Sequence, residues 1–308
     1  MTTTTSAAGP RWPLLGFLRE VYAPGLHLAY AAAWYLALEG TLSGLAGLPW
    51  RPDARSLVCI ATFFLVLFFL RVVDEWKDLA YDRVHNPDRP LVRGLVTLRD
   101  LFRYMALTAL AVLAINSLLA PWPLFIVLAD LAWGLALVAL ERRSAALRDG
   151  MLLNLLLTYP VNVALSVYAY AAFLARTGAA PSASGMLVMF AFALAFLVYE
   201  LLRKIAWPAL ARPGERLYSQ VLGGGGAMAL VLACALGASF TLFALWLQQG
   251  MAPALAALTL LPLLPAGRAA WRFLRERQQR VKLTGLGMQS LLLFYGGLCL
   301  LALWRALA

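Results

Sequence analysis

Apolar runs of membrane-spanning length recur along this chain, separated by short polar segments. A helix of about 20 apolar residues crosses a bilayer. Runs at 22–39, 56–70, 104–119, 124–140, 151–174, 185–202, 220–247, 253–264 and onward, and 287–304 predict about nine spans. The pattern therefore predicts an all-α fold, a polytopic transmembrane helical bundle. Residues 1–20 read as an N-terminal tail with a short amphipathic lead-in at 17–20, and residues 21–308 as one membrane domain. The first ten residues are polar and low in complexity, which predicts disorder, and they lack the apolar stretch of a signal peptide.

Glycine and proline punctuate the runs. Residues 40–54 read as a Gly/Pro loop, Pro121-Trp122-Pro123 as a tight turn, 176–184 as a second loop and 268–282 as a basic loop. Pro160 is expected to kink the fifth span, and Pro262 and Pro265 to break the eighth. Gly223 to Gly226 open the seventh span and allow a close backbone approach, a hinge or room for a bulky ligand. Within the fifth span, Asn154, Thr158, Tyr159, Asn162, Ser166 and Tyr170 recur every three to four residues, which makes one helix face polar. In lipid such a face turns toward protein or a cavity. It can line a chamber or join helices, and the spacing allows both. His27, alone in the first span, reads as a packed or interfacial residue.

Composition narrows the class. The 308 residues are 62% hydrophobic and 13% charged, whereas soluble domains carry about a quarter charged residues. Cys59, Cys234 and Cys299 lie singly in apolar runs, so no metal motif or disulfide framework is indicated. The net charge of +11 is not that of a nucleic-acid binder, because the basic residues fall between hydrophobic spans. With nine spans and a cytoplasmic N-terminus, only Arg51, Arg55, Arg176 and Arg305 lie on the far side, and the other Lys and Arg residues lie on the cytoplasmic side. That asymmetry is the positive-inside pattern.

The chemistry concentrates where the second span ends, in residues 71–90. Acidic residues are costly at a membrane boundary and call for a role. On a continuing helix, Asp74, Glu75, Asp78 and Asp82 fall within an arc of about 100°. Like charges so placed repel, and a cation removes the repulsion. Mg²⁺ binds a few carboxylates and leaves positions for water and phosphate oxygens. Lys77, Arg83 and Arg89 can help to hold a polyanion. A solvated helix end, its acids paired with these same cations, is the alternative. Asp130, inside the fourth span, is an intramembrane carboxylate with two open readings, a chamber-lining group or a helix-packing group.

The order Asp74-Glu75-x-x-Asp78-x-x-x-Asp82, then Asn86-Pro87-x-Arg89-Pro90, resembles the first aspartate-rich motif of the UbiA superfamily of intramembrane prenyltransferases. Asp74 stands where that motif usually has Asn, and Glu75 where it has Asp. A second polar stretch follows the sixth span, as the resemblance implies, with Tyr199, Glu200, Arg203, Lys204, Glu215 and Tyr218. It is thinner than the family's usual second motif, with two carboxylates far apart. The resemblance implies Mg²⁺ as cofactor, with Asp74, Glu75, Asp78 and Asp82 as its ligands. It implies an isoprenyl diphosphate substrate held by Lys77, Arg83, Arg89, Arg203 and Lys204, and a hydrophobic or aromatic acceptor. Asn154, Asp130, Tyr199, Glu200, Glu215 and Tyr218 complete the expected substrate-binding set, at a site facing the cytoplasm. A terpene cyclase on the same scaffold and a cation transporter are the alternative readings.

Overall fold

A computed structural model describes residues 13–212 and 215–307. The readings made for the first ten residues lie outside the described residues. Among those described there is no strand, and nine long helices account for the nine expected spans. They are α1 (Pro24–Leu45), α2 (Ala54–Lys77), α3 (Leu98–Asn116), α4 (Pro121–Arg143), α5 (Met151–Thr177), α6 (Ala183–Arg203), α7 (Tyr218–Gln248), α8 (Pro253–Arg275) and α9 (Thr284–Leu307). Seven, all but α1 and α3, are long and apolar enough to cross a membrane. Successive helices are neighbours, and α9 returns to pack on α1 and α6. The chain is thus a multi-pass helical bundle whose exposed surface carries large apolar side chains such as Leu107, Leu110, Phe125 and Leu300, as lipid contact requires.

Local chemistry sets several boundaries. Asp53 caps α2 by accepting from the backbone N–H groups of Arg55 and Ser56. Thr97 caps α3 in a box with Asp100, so the helix starts at Leu98, ahead of the apolar run at 104–119 that predicted it. The expected loop at 40–54 begins later than its glycines suggest, because Gly40 and Gly44 remain helical. A Cβ on Gly40 would lie 2.6 Å from Ala302 Cβ, and one on Gly44 would lie 2.4 Å from the Trp246 ring. These glycines serve close packing instead of a turn. Arg268 to Arg275 are likewise helical, in the second half of α8. Pro160 sits inside α5 without ending it. Gly223 does interrupt α7, with φ 69° and ψ 160°, a conformation that suits only glycine.

Polar side chains join helices across the core. Asn116 Nδ2 donates to Thr62 Oγ1 (2.8 Å), and Tyr168 OH donates to Asn116 Oδ1 (2.7 Å). Trp34 Nε1 donates to Ser166 Oγ (3.3 Å), Tyr159 OH to the Ala193 carbonyl, and Ser182 N to Tyr170 OH (2.9 Å). Much of the polar face of α5 is therefore helix-joining. At the end of the bundle where α1 and α5 finish, Glu39 is buried. It accepts from Ser56 Oγ (2.8 Å), Trp50 Nε1 (3.1 Å) and Tyr35 OH (3.1 Å), and Arg176 Nη1 lies 2.6 Å from it. The three cysteines are unpaired, and His27 stacks on Tyr22 with ring centroids 4.0 Å apart.

Candidate active site

Helix α2 stops at Lys77 because Asp78 leaves helical geometry, with φ −87° and ψ 1°. A short helix, Leu79–His85, follows at once. The expected continuous helix is thus kinked at Asp78. Its hydrogen-bond ladder nevertheless runs through the kink, from Asp78 N to Asp74 O (2.9 Å) and from Asp82 N to Asp78 O (2.8 Å). The row Asp74, Asp78, Asp82 therefore keeps its one-turn spacing.

The four carboxylates have different surroundings. Glu75 is buried and ion-paired with Arg71, and its Oε1 lies 3.2 Å from Arg89 Nη1. Arg89 Nε also reaches to 3.9 Å from Asp82 Oδ2, while Asn86 Nδ2 donates to Asp82 Oδ1 at 2.7 Å. The Asn-Pro-x-Arg-Pro segment thus folds back so that Arg89 bridges two acids. Lys77 Nζ lies 3.7 Å from both Asp74 Oδ1 and Glu141 Oε1. Asp78 has no ion-pair partner among the described residues. The protein packed around its carboxyl strips water from it and raises its pKa to about 6, with Asp74, Asp82 and Glu141 adding to the rise and Lys77 opposing it.

Asp78, Lys77 and Glu141 border a cavity of about 690 Å³ at the ends of α2 and α4 and the start of α5. Its wall holds six cations, Lys77, Arg83, Arg142, Arg148, Lys204 and Arg216, against two acids, Asp78 and Glu141. Asn154 also lines it, donating to Glu141 Oε1 at 2.8 Å. Both polar stretches contribute, Lys204 and Arg216 coming from the second. Arg216 donates to Asp149 Oδ1 (2.8 Å) and to the Arg148 carbonyl, which ties the α6–α7 loop to the α4–α5 loop. Such a concave, cationic wall suits a polyanion.

Other expected residues stand nearby or apart. Glu200 is held by Arg203 (2.6 Å) and Lys204 (2.9 Å). Tyr218 is buried, and its backbone N donates to Lys204 O at 3.1 Å. Glu215 turns toward Arg280, whose hydrogen bonds hold its carboxyl below the usual glutamate range. Tyr199 lies in an aromatic layer, its ring 5.9 Å from Phe196. Asp130 is buried, with neither oxygen hydrogen-bonded, and is not part of the cavity wall. Sequence reasoning did not single out Glu141, Arg142, Arg148 or Arg216. Their presence in polar segments on the predicted cytoplasmic side was the only signal.

Among the described residues no three His, Cys, Asp or Glu side chains converge closely enough to enclose a metal ion. The donors still fit Mg²⁺ in kind. They are carboxylate oxygens, Glu75 Oε2 is buried without a hydrogen-bond partner, and Asp78 is unpaired. Mg²⁺ commonly takes one or two carboxylates and fills its shell with water and substrate phosphate.

No family model and no curated protein matches the chain. In fold it is similar to the apo structure of a UbiA homolog from Aeropyrum pernix K1, with a TM-score of 0.64 and 20% identity over 87% of this chain and 95% of that one. It is similar also to a digeranylgeranylglyceryl phosphate synthase, with a TM-score of 0.65 and 13% identity over 95% of this chain and 99% of that one. Both likenesses span nearly the whole bundle, and the fold is the one these two proteins share.

Proposed function

We propose that this chain is a member of the UbiA superfamily and an intramembrane prenyltransferase. It ionises an allylic isoprenyl diphosphate and transfers the prenyl group to a hydrophobic, aromatic acceptor.

 The C–O bond to the diphosphate breaks, and its electron pair leaves with the diphosphate. The allylic carbocation is attacked by a ring carbon of the acceptor, which then loses a proton. The observation that supports this reading most directly is the cavity itself. Six cations from three polar stretches of the chain line it, and Asp78 of the carboxylate row stands in its wall.

Lys77, Arg83, Arg148, Lys204 and Arg216 would hold the diphosphate and offset the charge that grows on it as the bond breaks. Asp78 and Asp82, with Asp74 or Glu75 assisting, would hold Mg²⁺. When bound there, the ion would supply further neutralisation of the leaving group. The apolar helix faces below would take the isoprenoid chain and keep water from the carbocation. The distribution of basic residues supports a cytoplasmic N-terminus and a site open to the cytoplasm.

The test is a mass-spectrometric screen of purified protein with allylic diphosphates of several lengths, aromatic acceptors, and Mg²⁺ or chelator. The expected products are a prenylated acceptor and inorganic diphosphate, both lost on chelation. A cyclised hydrocarbon formed without an acceptor would assign a terpene cyclase instead. Intact diphosphates, together with metal uptake into proteoliposomes, would assign transport.

A further inference from the structure

Residues 268–282 carry six cations, Arg268, Arg272, Arg275, Arg277, Arg280 and Lys282, and one acid, Glu276. Protein groups occupy part of that charge. Arg272 Nε lies 3.2 Å from Glu276 Oε1, and Arg280 is bonded to Glu215. Arg277 turns back over the Trp207 ring, 5.3 Å from its centroid, and donates to the Leu274 carbonyl at 3.0 Å. Arg268 and Arg275 have no acidic partner among the described residues.

Both belong to the second half of α8, which has two unlike sides. Ala266, Ala269, Ala270 and Phe273 are buried where α8 packs on α7 and α9. The opposite side is exposed and carries Leu264, Arg268, Trp271 and Arg275. At about 100° per residue these four fall within an arc of about 60°, in a stripe about 16 Å long. Leu264 stands nearest the middle of the bundle, followed by a cation, an indole and a second cation. Trp271 is 58% exposed, and the Arg275 guanidinium lies over its ring at 5.1 Å.

An exposed indole on the outer wall of a membrane bundle sits best at the boundary between acyl chains and headgroups. Arg268 and Arg275, a turn to either side of it, then lie within side-chain reach of the lipid phosphates. A guanidinium on that wall with no protein acid beside it is costly unless it meets an anion. We propose that the stripe formed by Arg268, Trp271 and Arg275 is a docking surface for an anionic phospholipid. Each guanidinium can donate a parallel pair of hydrogen bonds to a phosphodiester, and Leu264 meets the start of the acyl chains. Charge complementarity selects the lipid. Two arginines attract a headgroup of net negative charge and repel the ammonium of a zwitterionic one. Trp271 does not offset that repulsion, because Arg275 already stands over its ring. Docking here is independent of the reaction in the cavity.

The test reads the lipid beside Trp271. The purified full chain is reconstituted in vesicles of dioleoyl phosphatidylcholine and dioleoyl phosphatidylglycerol, with one of the two lipids carrying brominated chains that quench indole fluorescence. Each protein is compared with its own Trp271→Phe version, so that the difference isolates Trp271. The expected result is a preference for phosphatidylglycerol that falls by about tenfold in Arg268→Gln/Arg275→Gln. Each single variant is expected to lose about threefold, and the singles carry the comparison if the double variant does not fold. Arg99→Gln/Arg103→Gln removes the same charge from the exposed start of α3 and is expected to leave the preference unchanged. No preference in the native protein would overturn the proposal, and so would a preference kept in the Arg268 and Arg275 variants. An equal fall in Arg99→Gln/Arg103→Gln would overturn it too, because a general positive field and not a site would then select the lipid.

Discussion

Asp78 stands in the cavity wall without a cation of its own, while Glu75, Asp82 and Asp74 are each within 4 Å of a Lys or Arg. A carboxylate left free beside a cationic cavity is suited to a metal ion, which carries more charge than one lysine. Asp78→Asn and Asp82→Asn are therefore expected to fold and to lose Mg²⁺-dependent turnover by about 100-fold or more. Asp88→Asn is the comparison, because Asp88 is exposed beyond Pro87. Equal turnover in all three would make the acidic row a solvated helix end. Asp130 leads to a different expectation. Its oxygens are buried and unpaired, so Asp130→Leu is expected to raise stability by about 1–3 kcal/mol and to leave turnover near native. A thermal unfolding curve and a kinetic assay check both. The identities of the acidic row were readable from spacing alone, because helical periodicity orders them. That Arg89 would bridge Glu75 and Asp82 was not, since the contact depends on how the chain turns after Pro87.

Helix α1 shows how an element can mislead a reader of sequence. Gly40 and Gly44 look like punctuation, yet they are helical where another helix comes close. Alanine at position 44 would gain about 1 kcal/mol of helix propensity, but its Cβ would overlap the Trp246 ring, at a cost of about 1–3 kcal/mol. Gly44→Ala is expected to lower the unfolding temperature. Gly225→Ala, where a Cβ meets nothing within 4 Å, is expected to leave it unchanged or raise it. The capped starts of α2 and α3 were written in the sequence as Asp53 with Ser56 and Thr97 with Asp100. The kink at Gly223 was readable only as a permission that glycine grants. Between elements, the Glu215–Arg280 pair links two loops. Its folded pKa is depressed, so the link is whole above the ordinary glutamate pKa and is lost as the pH falls through the folded value. A partly exposed pair of this kind contributes at most about 1 kcal/mol. The stability advantage of the native protein over Glu215→Gln is expected to be present at neutral pH and to vanish in acid, as thermal unfolding would show.

At the scale of the whole molecule, the hydrophobic pattern anticipated the bundle because each span must satisfy its own backbone in lipid. It could not anticipate the cavity, because Lys77, Arg148 and Arg216 meet only after three loops have folded over one end. The charge distribution carries one further expectation, that the two termini lie on opposite sides of the membrane. Reporter fusions that place both on the same side would sink it.

The buried contact between Glu39 and Arg176 has a consequence for biosynthesis. The acid leaves the ribosome roughly 140 residues before its guanidinium partner, an interval of about 7–30 s at common elongation rates. Throughout that interval the nascent α1 carries a carboxyl whose ion-pair partner is not yet made. It is without that partner until α5 arrives. Ribosome-stalled chains ending before Arg176 should therefore be held less firmly in the bilayer than chains long enough for all of α5 to have left the ribosome, and extraction of such chains from membranes would measure the difference.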